Sequence, residues 1–159
     1  MIALVEREHH LSILLTQRAK HLKHHPGQIS FLGGKVEKQD TDPIDTAIRE
    51  TQEEIGVILP RSDILGTLAP LSTLSGYEIT PIIGFVDANY HATLDNNEVD
   101  LLFELPLGRI ITAEGLICQK FTIKGYQISL CAVHHNNHLI WGATAQILNA
   151  LVRQITLPK

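Results

Sequence analysis

The sequence predicts an α+β domain, a mixed β-sheet carrying two main helices, one central and one C-terminal. Three observations predict it. β-rich apolar runs recur along the chain, separated by polar or Gly/Pro turns. Between Asp42 and Gly56, apolar residues recur at helical spacing behind a Pro start and before a Gly stop. A second stretch of helical spacing closes the chain. The 159 residues suit one domain, 1–159, around one core. With 44% hydrophobic and 19% charged residues the composition is that of a globular chain, and disorder is not expected over most of its length.

The elements follow in order. "IALVE" and "LSILLTQ", separated by the polar "REHH", read as a hairpin. "RAKHLKHHPGQ" is a basic loop with a Pro-Gly turn, and "ISFL" a short strand ending at Gly33-Gly34. "KVEKQDT" is loop. Asp42 is expected to cap a helix with Pro43 at its first position. Ile44, Ala47, Ile48, Thr51 and Ile55 form its packed face, and Gly56 ends it. "DILGTLAPL" and "YEITPIIGFVD" read as strands, with Pro81 forcing an edge or bulge. "ATLDNNE" is a turn, and "VDLLFELPL" a strand running into a short turn or helix. "LICQKFTIKGYQISLCAVHH" reads as a hairpin turning at Gly125. "WGATAQILNALVRQI" is helical, with Ala143, Ile147, Leu148, Leu151 and Ile155 on one face.

Composition excludes several functions. The formal charge of −4 argues against a nucleic-acid surface. No apolar run reaches the ~20 residues that span a bilayer, so no membrane partner is expected. The start "MIALVEREHH" lacks a secretory pattern, and a cytoplasmic location is expected. Cys118 and Cys131 are then expected as buried free thiols. The nine histidines are expected in solvated loops, since no pair has zinc-site spacing. "HLKHH" at 21–25, with Arg18, Lys20 and Lys23, makes a basic segment suited to an anionic ligand. Trp141 is expected in the core.

"RETQEEIG", residues 49–56, carries the chemistry. Glu50 and Glu54 are one helical turn apart, and Glu53 adjoins them. Like charges so placed destabilise a helix, and the macrodipole disfavours them at its C-terminus. A solvated acidic face is one reading. The other is a hard divalent cation held by these carboxylates, with Arg49 orienting one of them. Gly33-Gly34, a Gly-rich turn just before this helix, favours the second, because its backbone N–H groups can approach an anion.

Gly34, five residues, Asp40, eight residues and "RETQEEIGV" resemble the Nudix box, spanning 34–56, with Asp40 standing where the usual box has Glu. The resemblance implies a Nudix fold, an α/β/α sandwich with a central mixed sheet, a catalytic loop–helix and a C-terminal helix. It makes Glu50 and Glu54 ligands of Mg²⁺ or Mn²⁺, with Glu53 a further ligand, direct or through water. "LLTQRAKHLKHHPGQISFLGG", residues 14–34, is similar to the segment that marks coenzyme A pyrophosphatases. "EVDLLFELPL" and "IWGATAQIL" look like that subfamily's later landmarks. Leu32 departs from it, standing where the family has Pro. The chain also begins almost at the first strand, where relatives carry a further segment.

The resemblance implies metal-dependent hydrolysis of the pyrophosphate of coenzyme A or acyl-coenzyme A to 3′,5′-ADP and 4′-phosphopantetheine. Glu53, or Glu98 on a neighbouring loop, is expected to accept the proton of the attacking water. Arg49 is expected to orient the carboxylates. Arg18, Lys20 and Lys23 are expected to bind substrate phosphates, beside the Gly33-Gly34 backbone. The alternatives are a Nudix hydrolase of another nucleoside diphosphate derivative and a catalytically silent nucleotide-binding Nudix domain.

Overall fold

The computed structural model describes residues 1–73, 76–112, 115–123 and 126–156. Strands β1 (Ile2–Arg7) and β2 (His10–Arg18) form the expected hairpin, with Leu4 opposite Ile13. β3 (Ile29–Ser30) is shorter than "ISFL" suggests and pairs with Thr16 and Gln17 of β2. Helix α1 (Pro43–Ile55) follows. A short 3₁₀ turn, Arg61–Asp63, leads into β4 (Ile64–Thr67). β5 (Leu71–Ser72) and β6 (Glu78–Ile79) pair with each other. β7 (Ile82–Val86) starts just after Pro81, which interrupts the predicted "YEITPIIGFVD" strand. β8 (Val99–Pro106) runs into the short helix α2 (Leu107–Ile111). β9 (Leu116–Ile123), β10 (Tyr126–His135) and β11 (His138–Trp141) precede helix α3 (Gly142–Thr156). The turn expected at Gly125 lies outside the described residues.

The main sheet is mixed. β1 lies parallel to β7, which is antiparallel to β4, and β2 pairs antiparallel with β1, β3 and β8. β1 is apolar on both faces, as a strand covered from both sides must be. Ile2 and Leu4 join a cluster with Ile147, Leu148 and Leu151 of α3. Met1, Ala3 and Val5 join a second cluster with Ala47 and Ile55 of α1. The sheet is therefore sandwiched between the two main helices, as expected. A fully buried Ile55 contributes roughly 1.5–3 kcal/mol by leaving water.

Several expectations fail. β11 takes in Trp141, the residue expected to open the last helix. It forms because Asn136, with φ 52°, turns the chain and sets His138 opposite His135. Trp141 ends that strand 54% exposed, not in the core. Ile155 is likewise exposed, one turn beyond the buried Leu151. His134, His135 and His138 are strand residues, not loop residues, and the last two stack on Phe103, with His138 at 4.6 Å between ring centroids. Cys118 and Cys131 are not free thiols. They face each other across the β9–β10 ladder and are joined by a disulfide.

Candidate active site

Helix α1 is fixed at both ends by local chemistry. The Asp42 side chain accepts from the N–H groups of Ile44 and Asp45, and Pro43 supplies a pre-set φ. At the other end Gly56 takes φ 71°, and its N–H reaches the carbonyl of Gln52. The last carbonyls would be orphans without tertiary partners. Thr93 N–H donates to Ile55 (2.8 Å) and Asp95 N–H to Glu54 (3.0 Å). The loop that ends at Glu98 is thus clasped onto the C-terminus of α1. Ala19 N–H then donates to the Glu98 carbonyl at 2.8 Å, so this loop also adjoins the end of β2.

Arg49 is the hub. Its Nε and Nη2 grip Asp40 in a fork at 3.0 and 3.1 Å. Nη1 donates to Glu50 at 3.0 Å and to Glu53 at 2.8 Å, and Nη2 also reaches the Lys35 carbonyl at 3.0 Å. Asp40 is held in turn by the Glu37 N–H and the Thr46 hydroxyl, each at 2.8 Å. Arg49 beside it keeps the Asp40 carboxyl far below the usual carboxylate range. The sequence placed Asp40 in the box without a role, and the structure makes it the anchor of Arg49. Its spacing from the Arg-Glu pair was the available signal. The clasp by Thr93 and Asp95 left no signal in the sequence.

The glutamates divide by environment. Glu54 is 2% exposed, although it sits on the helix face read as acidic. Burial pushes its carboxyl up to about 7, opposed by the Gly33 N–H that donates to it at 3.1 Å and reinforced by Glu50 and Glu98. Glu50 is also raised, chiefly by burial, with Arg49 pulling the other way and Glu53 and Glu98 adding to the rise. Glu53 is exposed beyond its bond to Arg49. Gly34 lies against the Glu50 carboxylate so closely that a Cβ there would overlap it.

The structure therefore brings Arg49, Glu50, Glu53, Glu54, Glu98, Gly33 and Gly34 into one area. Arg18 ends β2 beside it, and its Nε is buried with no hydrogen-bond partner among the described residues. Lys20 and Lys23 are exposed, and among the described residues neither is bonded to the carboxylate group. The Gly33 N–H, expected to face an anionic substrate, is occupied by Glu54.

These residues fit a divalent cation by donor chemistry. Glu50, Glu54 and Glu98 share one field at the negative end of a helix whose last turn has no basic residue. Hard carboxylate oxygens under such repulsion suit Mg²⁺ or Mn²⁺. Among the described residues no three metal-binding side chains form a preformed cage. Mg²⁺ needs none, since it is commonly held by one or two carboxylates together with substrate phosphates.

Comparison with known proteins agrees with this reading. Residues 1–113 match the NUDIX domain model. Proteins named "Uncharacterized Nudix hydrolase NudL" from Yersinia pestis and Yersinia pseudotuberculosis are 38% identical over 146 residues, 92% of this chain and 73% of theirs. The fold resembles a MutT/nudix family protein from Enterococcus faecalis, with TM-score 0.65 and 17% identity over 98% of this chain and 60% of that one. It also resembles the NUDIX domain of Shewanella oneidensis NrtR complexed with ADP ribose, with TM-score 0.59 and 15% identity over 97% of this chain and 84% of that one. Sequence and fold together show that the chain belongs to the Nudix hydrolase family, whose members generally use divalent metal ions.

Proposed function

We propose that this chain hydrolyses the pyrophosphate bond of coenzyme A or its derivatives, giving 3′,5′-ADP and 4′-phosphopantetheine. One observation carries the reading. The 14–34 segment folds as a strand, a basic loop and a second short strand; it sets the Gly33-Gly34 turn against Glu54 and Glu50 of α1, and its first strand ends at Arg18, next to Ala19, whose N–H donates to the Glu98 carbonyl. Arg18 supports it, because a guanidinium carried at the end of a strand has a fixed base and its fork suits phosphate oxygens.

Glu50 and Glu54 are the residues that would hold Mg²⁺ or Mn²⁺, with Glu53 a further ligand. Bound there, the ion would neutralise phosphate charge and acidify a water. Arg49 fixes Glu50 and Glu53 through its fork on Asp40. Glu53, or Glu98 on the loop clasped to α1, takes the proton from the attacking water. Arg18 reads a substrate phosphate, with Lys20 and Lys23 contributing longer-range attraction. The ligand is a small molecule; no nucleic-acid or membrane partner belongs to this reading. No helix among the described residues is long and apolar enough to cross a membrane. A cytoplasmic location belongs to this reading.

The test is purified protein with Mg²⁺ or Mn²⁺ against coenzyme A, acyl-coenzyme A, ADP-ribose, NADH and dinucleoside polyphosphates, with products separated by chromatography. Preferential release of 3′,5′-ADP from the coenzyme A forms is expected. Preference for any other substrate in the panel transfers the chain to another Nudix specificity, and cleavage of none of them leaves a binding domain.

A further inference from the structure

β9, β10 and β11 form a sheet of their own whose inward face carries Cys131, Val133 and Ile140, all buried. A sheet packed on one side alternates apolar inward with polar outward. This one is apolar on both sides. Ile117, Phe121, Leu130, Leu139 and Trp141 all point outward and are 42–59% exposed. The register sets Ile117 and Trp141 on either side of Ala132, and puts Leu139 opposite His134. The five side chains line one continuous groove of about 680 Å³. The other large exposed apolar residues, such as Val36, Ile58 and Tyr77, lie outside this sheet.

We propose that this outward face is an interface with a second copy of the chain. The area favours it. The five side chains leave roughly 500–600 Å² exposed, the upper end for one patch on a monomer and about two thirds of the ~800 Å² each partner contributes to a standard stable interface. Gln119, Ala132 and His134, which also line the groove, add to it. Charge favours it too. The chain carries −4 overall, so two copies repel over most of their surface, yet residues 115–159 contain no Asp or Glu. A two-fold pairing here brings identical apolar faces together without opposing carboxylates, as an isologous interface requires. An anionic membrane surface is a poorer occupant, because such faces carry several Lys or Arg. Here Arg109, at the rim, is the one Lys or Arg lining the groove among the described residues.

The experiment is sedimentation velocity across the micromolar range, with the wild type beside Leu130→Glu and Leu139→Glu. Both positions are exposed and remote from the glutamates of α1. A wild-type mass of twice 17.7 kDa that falls to the monomer in both variants is expected. Hydrogen exchange of the wild type at low and high concentration provides a reading that needs no variant. The amides of 116–123, 130–135 and 138–141 should gain protection as the dimer forms. A monomer at every concentration overturns the proposal, as does a dimer that survives both substitutions or protection appearing elsewhere. A monomer that binds anionic vesicles with a blue-shifted Trp141 fluorescence also overturns it and assigns the face to lipid.

Discussion

The C-terminal half of α1 and the loop between β2 and β3 both carry charge at the candidate site, but they are built differently. Around α1, Arg49 is tied to Asp40, Glu50, Glu53 and the Lys35 carbonyl, and Asp40 is tied to Thr46 and Glu37. Each carboxylate there has its position set before any ligand arrives. In the loop, Lys20 and Lys23 are exposed; Arg18 ends a strand and the Lys20 N–H donates to Asp100 at 3.1 Å, so the bases of these two are held while their side chains are not bonded among the described residues. The carboxylate half is preorganised, at the cost of raising Glu50 and Glu54. Among the described residues the ammonium groups of the basic half make no bond. Rigid placement suits a cation that needs defined oxygen geometry. Loose point charges suit phosphates, which tolerate a range of approach.

The largest test of that contrast is Glu54→Gln. It keeps the shape and removes a buried carboxylate. Turnover should fall by roughly 10²- to 10⁴-fold, the range for losing a group that acts in the transition state. The melting temperature without metal should hold or rise, since a repelled and desolvated charge is gone. Near-parental turnover would remove Glu54 from the ligand set.

The pH dependence of the metal-free protein comes next. Burial raises Glu54 from 4.5 to about 7 in the folded state and raises Glu50 in the same direction. Between those values the folded chain binds more protons than the unfolded one. Their contribution is full below about pH 4.5 and is lost as pH rises through 7, by on the order of 2–3 kcal/mol for Glu54. Thermal melts from pH 4.5 to 6 should show this fall, and Glu54→Gln should flatten most of it; above pH 6 the buried Met1 amine, lowered to about 6, adds the opposite slope. A stability that rises across this window would contradict the burial of Glu54. Asp40, held low by Arg49, acts only at more acidic pH and with the opposite sign.

Arg18→Ala should lose about ten- to a hundredfold in kcat/KM on coenzyme A, the worth of one charge-assisted bond. If Arg18 reads the 3′-phosphate, the loss on 3′-dephospho-coenzyme A should be small. Equal losses on both substrates would place Arg18 on the pyrophosphate instead. The smallest effect belongs to Lys23→Ala. An exposed point charge should cost no more than a few-fold, and salt should erase it. A loss as large as that of Arg18→Ala would show the loop to be ordered around the ligand.

How much of this was legible in the sequence depended on how local the determinant is. Asp42, Pro43 and Gly56 bounded α1 correctly because caps act within one turn. The glutamates could be placed on one face by counting. That Glu54 is buried could not, since the Thr93–Asp95 clasp and the Gly33 contact come from distant chain. The disulfide was within reach. The register that sets Ile123 opposite Tyr126 also sets Cys118 opposite Cys131, and an expected hairpin over this segment carries that pairing. Trp141 was misplaced for the reverse reason. Its apolar ring predicts burial, and only the pleat of β11 shows that it points away from the core.

Gly34 has a consequence for how such sequences can drift. A Cβ added to it would overlap the Glu50 carboxylate. Every one of the other residues brings a Cβ, so every substitution asks Glu50 to swing aside. Because a carboxylate is the movable end of a flexible chain, the fold would survive. A lineage that changed this residue would thus keep an intact, expressible protein while surrendering its chemistry. On the proposed reading, position 34 would be a one-step route from hydrolase to inert scaffold, invisible to any selection that acts on folding alone.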